Sequence, residues 1–505
     1  MRPDPFPFYS WVLRVIIYVV VPAFGVLQFF RLRRALHVFQ LEGYKRKRFL
    51  AWCSANPERR LFMISFPQKK PLVMTGRAWR LLVTGTLLSV FGVLVPSGVV
   101  HVTLGTPWDL VTCGTMIALL FFGLPRLLIL ADILMAPVQR TINATYLRKA
   151  KAKLDEVSPR VIGVTGSFGK TSTKFAIQRL IGPTNEVLAT PGSFNTPLGV
   201  CRTINEQLQP IHRYFVVEMG AYGVGEIAEL CRFVRPTIGV LTAIGPAHLE
   251  RFGSMDAIRR GKYEIVESLG SDGTAVMNVD DPEVRKLADA TTNVRLVRYG
   301  LDAEGRPDVT ARDIETASAG TSFTVVTGSD QARVTTRLLG RHALGHILAA
   351  VAVATVSGRS LRDLVERIAA LEPVEHRLQV IQGAGGVTVI DDAYNSNPEG
   401  AAAALEVLAA MPARKRVVVT PGIVELGPLQ AEENERFGRR AADVADTVIF
   451  VASLNRDALL AGAAGGRAEV VSVDSLEEAT QQLQGRLQPG DVVLFENDLP
   501  DQYEH

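Results

Sequence analysis

Apolar positions crowd the front of the chain. Residues 11 to 30, WVLRVIIYVVVPAFGVLQFF, hold one charge, Arg14, near the start, where its long stem can reach an interface. Residues 81 to 104, LLVTGTLLSVFGVLVPSGVVHVTL, hold no Asp, Glu, Lys or Arg. A third run, from Leu110 to Pro137, opens LVTCGTMIALLFFGLP and then meets Arg126 and Asp132. A bilayer core needs about 20 residues of helix, so this pattern predicts about three transmembrane helices. Residues 31 to 80 between the first two runs carry thirteen Lys and Arg against only Glu42 and Glu58, the balance of a cytosolic loop. That loop reads either as an amphipathic segment on anionic membrane lipid or as a solvated basic stretch. The turn HVTLGTPWD has no Lys or Arg, while Arg140, Arg148, Lys149, Lys151 and Lys153 follow the third run. The expectation is a multi-pass protein of the cytoplasmic (inner) membrane, with everything after about residue 140 in the cytosol. No small-residue cleavage site follows the first run, so a signal peptide is not expected.

Composition bounds the remainder. The 505 residues suffice for three or four folding units. A hydrophobic share of 47% and a mean hydropathy of +0.17 exclude a disordered chain. With 55 basic and 51 acidic residues the net charge is +4, which gives no case for a nucleic-acid partner. Cys53, Cys113, Cys201 and Cys231 form no CxxC pair, which argues against a disulfide scaffold and a cysteine zinc site.

Chemistry begins after the basic linker KAKLDEVSPR. RVIGVT reads as a short buried strand and GSFGKTSTKFAIQRLI as a glycine loop running into a helix. Gly166 and Gly169 let the backbone around Ser167 and Phe168 turn its amides toward an anion, and the new helix adds its positive end. Lys170 is placed to reach terminal phosphates and Thr171, followed by Ser172, to offer a hydroxyl to magnesium. The spacing is TGxxGKT rather than the longer GxxxxGK[ST]. In FVVEMGAYGVGEIAEL, Glu218 ends an apolar strand, and in LTAIGPAHLERFGS, His248 follows another. Thr171, Glu218 and His248 thus come from three strand ends of one parallel sheet, a donor set for magnesium beside ATP.

These segments resemble the Mur ligase superfamily, which makes amide bonds in cell-wall precursors, and within it the MurF branch that adds D-alanyl-D-alanine. The resemblance runs through TGSFGKTST, GSFNTPLGV, VVEMGAYGVGEI, IGPAHLERFGSMDAIRRGKYEI, MNVDDP, GRHALGHILAAVAVA, EHRLQV, IDDAYNSNPEGAAAALEVL and GIVELGPLQAEENERFG, about residues 160 to 450. It implies an α/β fold: a P-loop central domain over 151–370 and a Rossmann-like C-terminal domain over 371–505, after a membrane region over 1–150. It implies an ATP-dependent amide ligase that activates a carboxylate as an acyl phosphate and joins an amino acid or dipeptide. The acceptor would be a cell-wall or lipid-linked peptide precursor. By position, Lys170 resembles the phosphate lysine, and Thr171, Glu218, His248 and Lys262 the magnesium-site residues, Lys262 falling where the family carries a carbamylated lysine. Arg377 resembles an inter-domain arginine reaching the terminal phosphate, and Asp392 the aspartate that holds the nucleotide. Asn195, Thr196, Tyr394, Asn395 and Asn397 match substrate-contacting loops.

Three departures accompany the match. Residues 1 to 140 do not resemble the family's N-terminal domain, which grips a UDP-linked sugar. In GRHALGHILAA, Ala343 and His346 replace the usual asparagines, so an adenine contact would either run through His342 or His346 or be weaker. A Lys-Gly-Ser stretch usual near the C-terminus is replaced by DVVLFENDLPDQYEH, which implies a different second substrate or a different way of holding it. An amino-acid-polymer ligase of the poly-gamma-glutamate type and a nucleotide-gated membrane adaptor are the alternatives; the retained Lys170, Thr171, Glu218, His248, Lys262, Arg377 and Asp392 argue against the adaptor.

Overall fold

A computed structural model describes residues 15–63, 71–105, 108–317, 320–394 and 396–498. They form two compact units, residues 1–145 and 146–505.

The first unit is helical. Its helices are Val21–Leu41, Arg46–Ala55, Gly76–Leu104, Trp108–Phe122 and most of Leu124–Val157. The three predicted spans are not confirmed. Among the described residues, only Gly76–Leu104 and Leu124–Val157 are long and apolar enough to cross a membrane. The run at Leu110–Pro137 is broken at Gly123, leaving Trp108–Phe122 with 15 residues. The first run, described from Val15, continues into Val21–Leu41, where Gln28 and Arg31 are fully buried. The Arg31 guanidinium donates to Gln28 Oε1, Leu61 O and Phe121 O at 2.8–2.9 Å and lies over the Phe121 ring. Several arginines of the basic segment have internal partners among the described residues. Arg46 and Arg77 grip Asp132 at 2.7 and 2.9 Å, Arg48 pairs with Glu42 at 2.9 Å, and Phe39, Phe49 and Phe62 pack as an aromatic core.

The second unit holds two sheets. Strands β1 (Arg160–Thr165), β2 (Val187–Ala189), β3 (Tyr214–Glu218), β4 (Ile238–Leu241), β5 (Thr274–Asn278), β6 (Arg295–Tyr299), β7 (Val309–Ala317), β8 (Gly320–Thr327) and β9 (Asp330–Thr336) pair in the order β2-β3-β1-β4-β5-β6-β7-β8-β9. Pairing is parallel through β7 and antiparallel beyond it. Side chains alternate across the pleat: Ile162, Val164 and Val216 enter a core beneath helices Lys170–Ile181 and Arg341–Val356. Val161, Phe215 and Val217 enter the opposite core against Pro197–Gln207, Glu226–Val234 and Met255–Glu267. Both faces being covered, the strands read as continuous apolar runs. The strand order reverses at β1, and such switch points open a crevice at the carboxyl ends of a parallel sheet.

Strands β10 (Gln379–Gln382), β11 (Thr388–Asp392), β12 (Arg416–Thr420), β13 (Thr447–Val451), β14 (Glu469–Val473) and β15 (Val492–Glu496) build the second sheet, ordered β10-β11-β15-β12-β13-β14. It is parallel except for β10. Its register sets Asp392 beside Glu496.

Candidate active site

The glycine loop after β1 is pinned to the loop after β4. Gly166 has φ +154°, and a Cβ there would lie 2.0 Å from Thr242 Oγ1, so no side chain fits. Gly169, at φ +78°, starts the helix Lys170–Ile181 in a conformation glycine adopts without strain. Ser167 N donates to Ala243 O (2.8 Å), the Ser167 hydroxyl donates to Gly245 O (3.0 Å), and Thr242 Oγ1 donates to Phe168 O (2.5 Å). Ser172 follows in the helix, half-buried. Lys170 folds back over the loop, its Nζ donating to Gly166 O (2.9 Å) and Ser167 O (3.1 Å). Burial, and the nearby Arg377 charge, lower its pKa against the opposing pull of Glu218.

Glu218, 1% exposed at the end of β3, collects three donors: Thr171 Oγ1 (3.0 Å) and Lys174 Nζ (3.2 Å) on Oε2, and Asn195 Nδ2 (3.1 Å) on Oε1. Lys174 is fully buried and also donates to Gly192 O. Burial depresses its pKa while Glu218 raises it.

His248 takes a left-handed backbone (φ 61°) in the loop after β4. Its Nδ1 meets a carboxylate oxygen of Glu425, whose other oxygen takes Arg251. The Tyr222 ring meets His248 edge-on at 4.9 Å and lies 4.2 Å under the Arg251 guanidinium. Burial lowers the His248 pKa, Glu425 opposes, and Lys170 and Lys262 lower it further. Burial alone would raise Glu425, but the His248 hydrogen bond and the His248 and Arg251 charges bring it below the usual range.

Lys262, on the helix Met255–Glu267, is 1% exposed and 3.5 Å from Ala221 O. Burial and then Lys170 bring its pKa from 10.5 to about 7, against Glu226 and Glu264. Glu264 spends its own oxygens on the amides of Gly225 (2.5 Å) and Ala228 (2.9 Å).

From the C-terminal domain, Arg377 stacks on the Tyr394 ring at 4.6 Å, and its charge acts on Lys170, His346, Asp392 and Glu496. Asp392 accepts Leu378 N (3.1 Å). Its pKa is raised by burial and lowered by Arg377, while burial and then Asp392 push Glu496 well above the usual carboxylate range. Glu496 is fully buried and takes the Ser396 hydroxyl, and Asn497 ties Ser396 N to Gly422 O.

His346 is committed under the loop: its Nδ1 meets Thr173 Oγ1 at 3.1 Å, and its ring is 2.9 Å from where a Gly169 Cβ would stand. His342 lines a cavity of about 160 Å³ with Leu339, Arg341, Ala403, Glu406 and Val407. Burial lowers His342 to about 4 and His346 to about 3, so both rings are neutral.

The expected substrate loops divide. Asn195 points to Glu218, and Tyr394 reaches the Ser193 hydroxyl. Thr196 accepts Gly199 N (3.3 Å) as the cap of the helix Pro197–Gln207. Asn397 accepts Gly400 N (2.9 Å) as the cap of Pro398–Ala410. Asn395 lies outside the described residues. Lys174, Tyr222, Glu425 and Glu496 are additions to the site; of these only Lys174, one helical turn beyond Lys170, had a local signal.

The arrangement is an amide-lined anion cradle with a lysine folded over it, one carboxylate and one hydroxyl beside it, and an arginine arriving from a second domain. It suits transfer of a phosphoryl group. Comparison with known proteins agrees. The profile of the Mur ligase middle domain matches residues 164–354, and that of the Mur ligase glutamate ligase domain matches 376–496. The UDP-N-acetylmuramoyl-tripeptide--D-alanyl-D-alanine ligase of Mycobacterium tuberculosis (strain ATCC 25618 / H37Rv) is 37% identical over 359 residues, covering 66% of this chain and 69% of that protein. The enzyme of that name from Escherichia coli (strain K12) is 35% identical over 272 residues, 54% and 60% of the two chains. MurF from Acinetobacter baumannii superposes with a TM-score of 0.64 at 29% identity, over 71% of this chain and 78% of that one. MurF ligase from Thermotoga maritima in complex with ADP gives 0.64 at 29%, over 72% and 81%. Both profiles lie within residues 164–496. With only two candidate helices before them among the described residues, the multi-pass inner-membrane localisation expected from the apolar runs is corrected: it has no support.

Proposed function

This chain belongs to the Mur ligase family and is an ATP-dependent ligase of peptidoglycan-precursor synthesis; from that premise we propose that it joins the carboxylate of a muramoyl-peptide precursor to the amine of D-alanyl-D-alanine. The reading is supported by one juxtaposition above all, the loop lysine Lys170, the Thr171–Glu218 pair and the inter-domain Arg377 around a single crevice.

In this reading the γ-phosphate of ATP sits on the amides of Gly166–Gly169 and the start of the helix Lys170–Ile181, where the helix dipole favours an anion. The precursor carboxylate attacks the γ-phosphorus, giving an acyl phosphate and ADP. The dipeptide amine then attacks the acyl carbon, the C–O bond to phosphate breaks, and the amide forms. Lys170 and Arg377 offset charge at the transferring group, in a cleft where burial strengthens both. Docking of the C-terminal domain excludes water that would hydrolyse the acyl phosphate.

The residues present fit magnesium in its usual manner, with few protein oxygens and the rest from phosphates and water. Glu218 and Thr171 would hold it, with His248 as a further candidate. Bound there, it would neutralise phosphate charge. Lys262, a buried amine with a pKa of about 7, is reactive enough at neutral pH to take up CO2 as a carbamate.

Release of ADP by purified protein with ATP, magnesium, UDP-MurNAc-tripeptide and D-alanyl-D-alanine tests the proposal. Release requires both acceptors and is lost in Lys170→Ala; release independent of either acceptor, or full activity in Lys170→Ala, contradicts it.

A further inference from the structure

The group that holds His248 comes from the other domain. Glu425 stands in the loop after β12, and the root of that loop is fixed by its own domain: buried Asn434 brackets Ile423 through N–H and C=O at 2.8 Å each, and Asn455 donates to Pro421 O (3.1 Å) and Ile423 O (3.2 Å). From that base Glu425, itself left-handed at φ 66°, extends to His248 Nδ1 and to Arg251. Leu429, four residues on, packs against the apolar cores of both domains. Two non-glycine residues in left-handed backbone facing each other across an interface are uncommon, and such conformations persist where surroundings over-determine them.

An ionised carboxylate only accepts hydrogen bonds, so the contact assigns the proton of neutral His248 to Nδ1 and leaves Nε2 as the ring's lone-pair nitrogen. Tyr222 and Arg251 hold the ring from the remaining side. We propose that Glu425 is a positioning residue: it fixes the tautomer and ring plane of His248, and because it belongs to the C-terminal domain it makes His248 competent only when that domain is docked. The inference rests on the ligase reading for its kinetic consequence, but not for its structural one.

Glu425→Ala and Glu425→Gln test it. Carboxylates that orient a histidine through its second nitrogen are worth roughly 10–100-fold. Glu425→Ala therefore lowers kcat by that factor with the KM for ATP within about threefold. Glu425→Gln keeps an acceptor for Nδ1–H and recovers most of kcat. Separately, 15N-histidine NMR of the full chain, with the His248 signal identified by its loss in His248→Gln, shows the Nδ1–H tautomer in the wild type and in Glu425→Gln but not in Glu425→Ala. A wild-type kcat in Glu425→Ala, or an unchanged His248 tautomer, overturns the proposal. If no acceptor supports turnover, the ligase reading fails, and the NMR comparison alone decides the role of Glu425.

Discussion

Replacing Lys262 by Met removes a charge that burial penalises strongly. The ammonium is 1% exposed, and burial together with Lys170 brings its pKa from 10.5 to about 7. The folded value lies below the unfolded one. Between these two pH values the unfolded chain therefore binds more protons, and the contribution of this site to stability rises with pH through that window. The penalty is complete below about pH 7 and gone above about 10.5. Each tenfold step is worth 1.36 kcal/mol, so it approaches about 5 kcal/mol well below pH 7, is about 4 kcal/mol at pH 7, where the folded amine is half-titrated, and about 2 kcal/mol at pH 9. Methionine fills the space of the lysine stem without the charge. In bicarbonate-free buffer, which keeps Nζ a free amine, urea unfolding of both proteins at pH 7, 8 and 9 reports the difference. Lys262→Met is more stable than the wild type at pH 7, and the gap narrows by roughly 1 kcal/mol for each pH step. A gap that does not change with pH, or one that widens as pH rises, refutes the burial of this amine.

Other substitutions address the loop, the buried pair and a cap. Gly166→Ala drives a Cβ to within 2.0 Å of Thr242 Oγ1, and calorimetry should find the Kd for ATP raised roughly tenfold or more, at least about 1.4 kcal/mol. Lys174→Met leaves Glu218 buried without its counter-ion and costs about 3–5 kcal/mol in urea unfolding, part of which Glu218→Gln added to it restores. Asn397→Ala loses the cap of Pro398–Ala410 at a cost of about 1 kcal/mol, with kcat little changed; a collapse of kcat at wild-type stability would assign Asn397 a substrate contact beyond the cap.

What could be read in the chain beforehand follows from how local the determining physics is. The phosphate loop is set by two glycines and a lysine within five residues, and Glu218 by its place at the end of an apolar strand, so both were legible. Thr196 and Asn397 stand before Pro197 and Pro398, the ordinary signature of a helix cap, and the structure uses them so. Glu425 was not legible, because its partner His248 is 177 residues away and no periodicity marks it. The same holds for Glu496, whose place beside Asp392 depends on sheet register. The apolar front shows the opposite failure. Hydropathy did not reveal that Gly123 breaks the third run, that Arg31 is enclosed by backbone carbonyls, or that Asp132 consumes two of the arginines counted for orientation.

The central claim is that this chain activates a carboxylate by phosphorylation and then forms an amide. A precursor whose terminal carboxylate carries 18O in both oxygens tests it directly, with mass spectrometry of the products after turnover with ATP and D-alanyl-D-alanine. Passage through an acyl phosphate predicts one 18O in each phosphate released, one retained in the new amide, and ADP as the nucleotide product. Phosphate free of 18O while ATP is consumed, or AMP in place of ADP, would contradict the account.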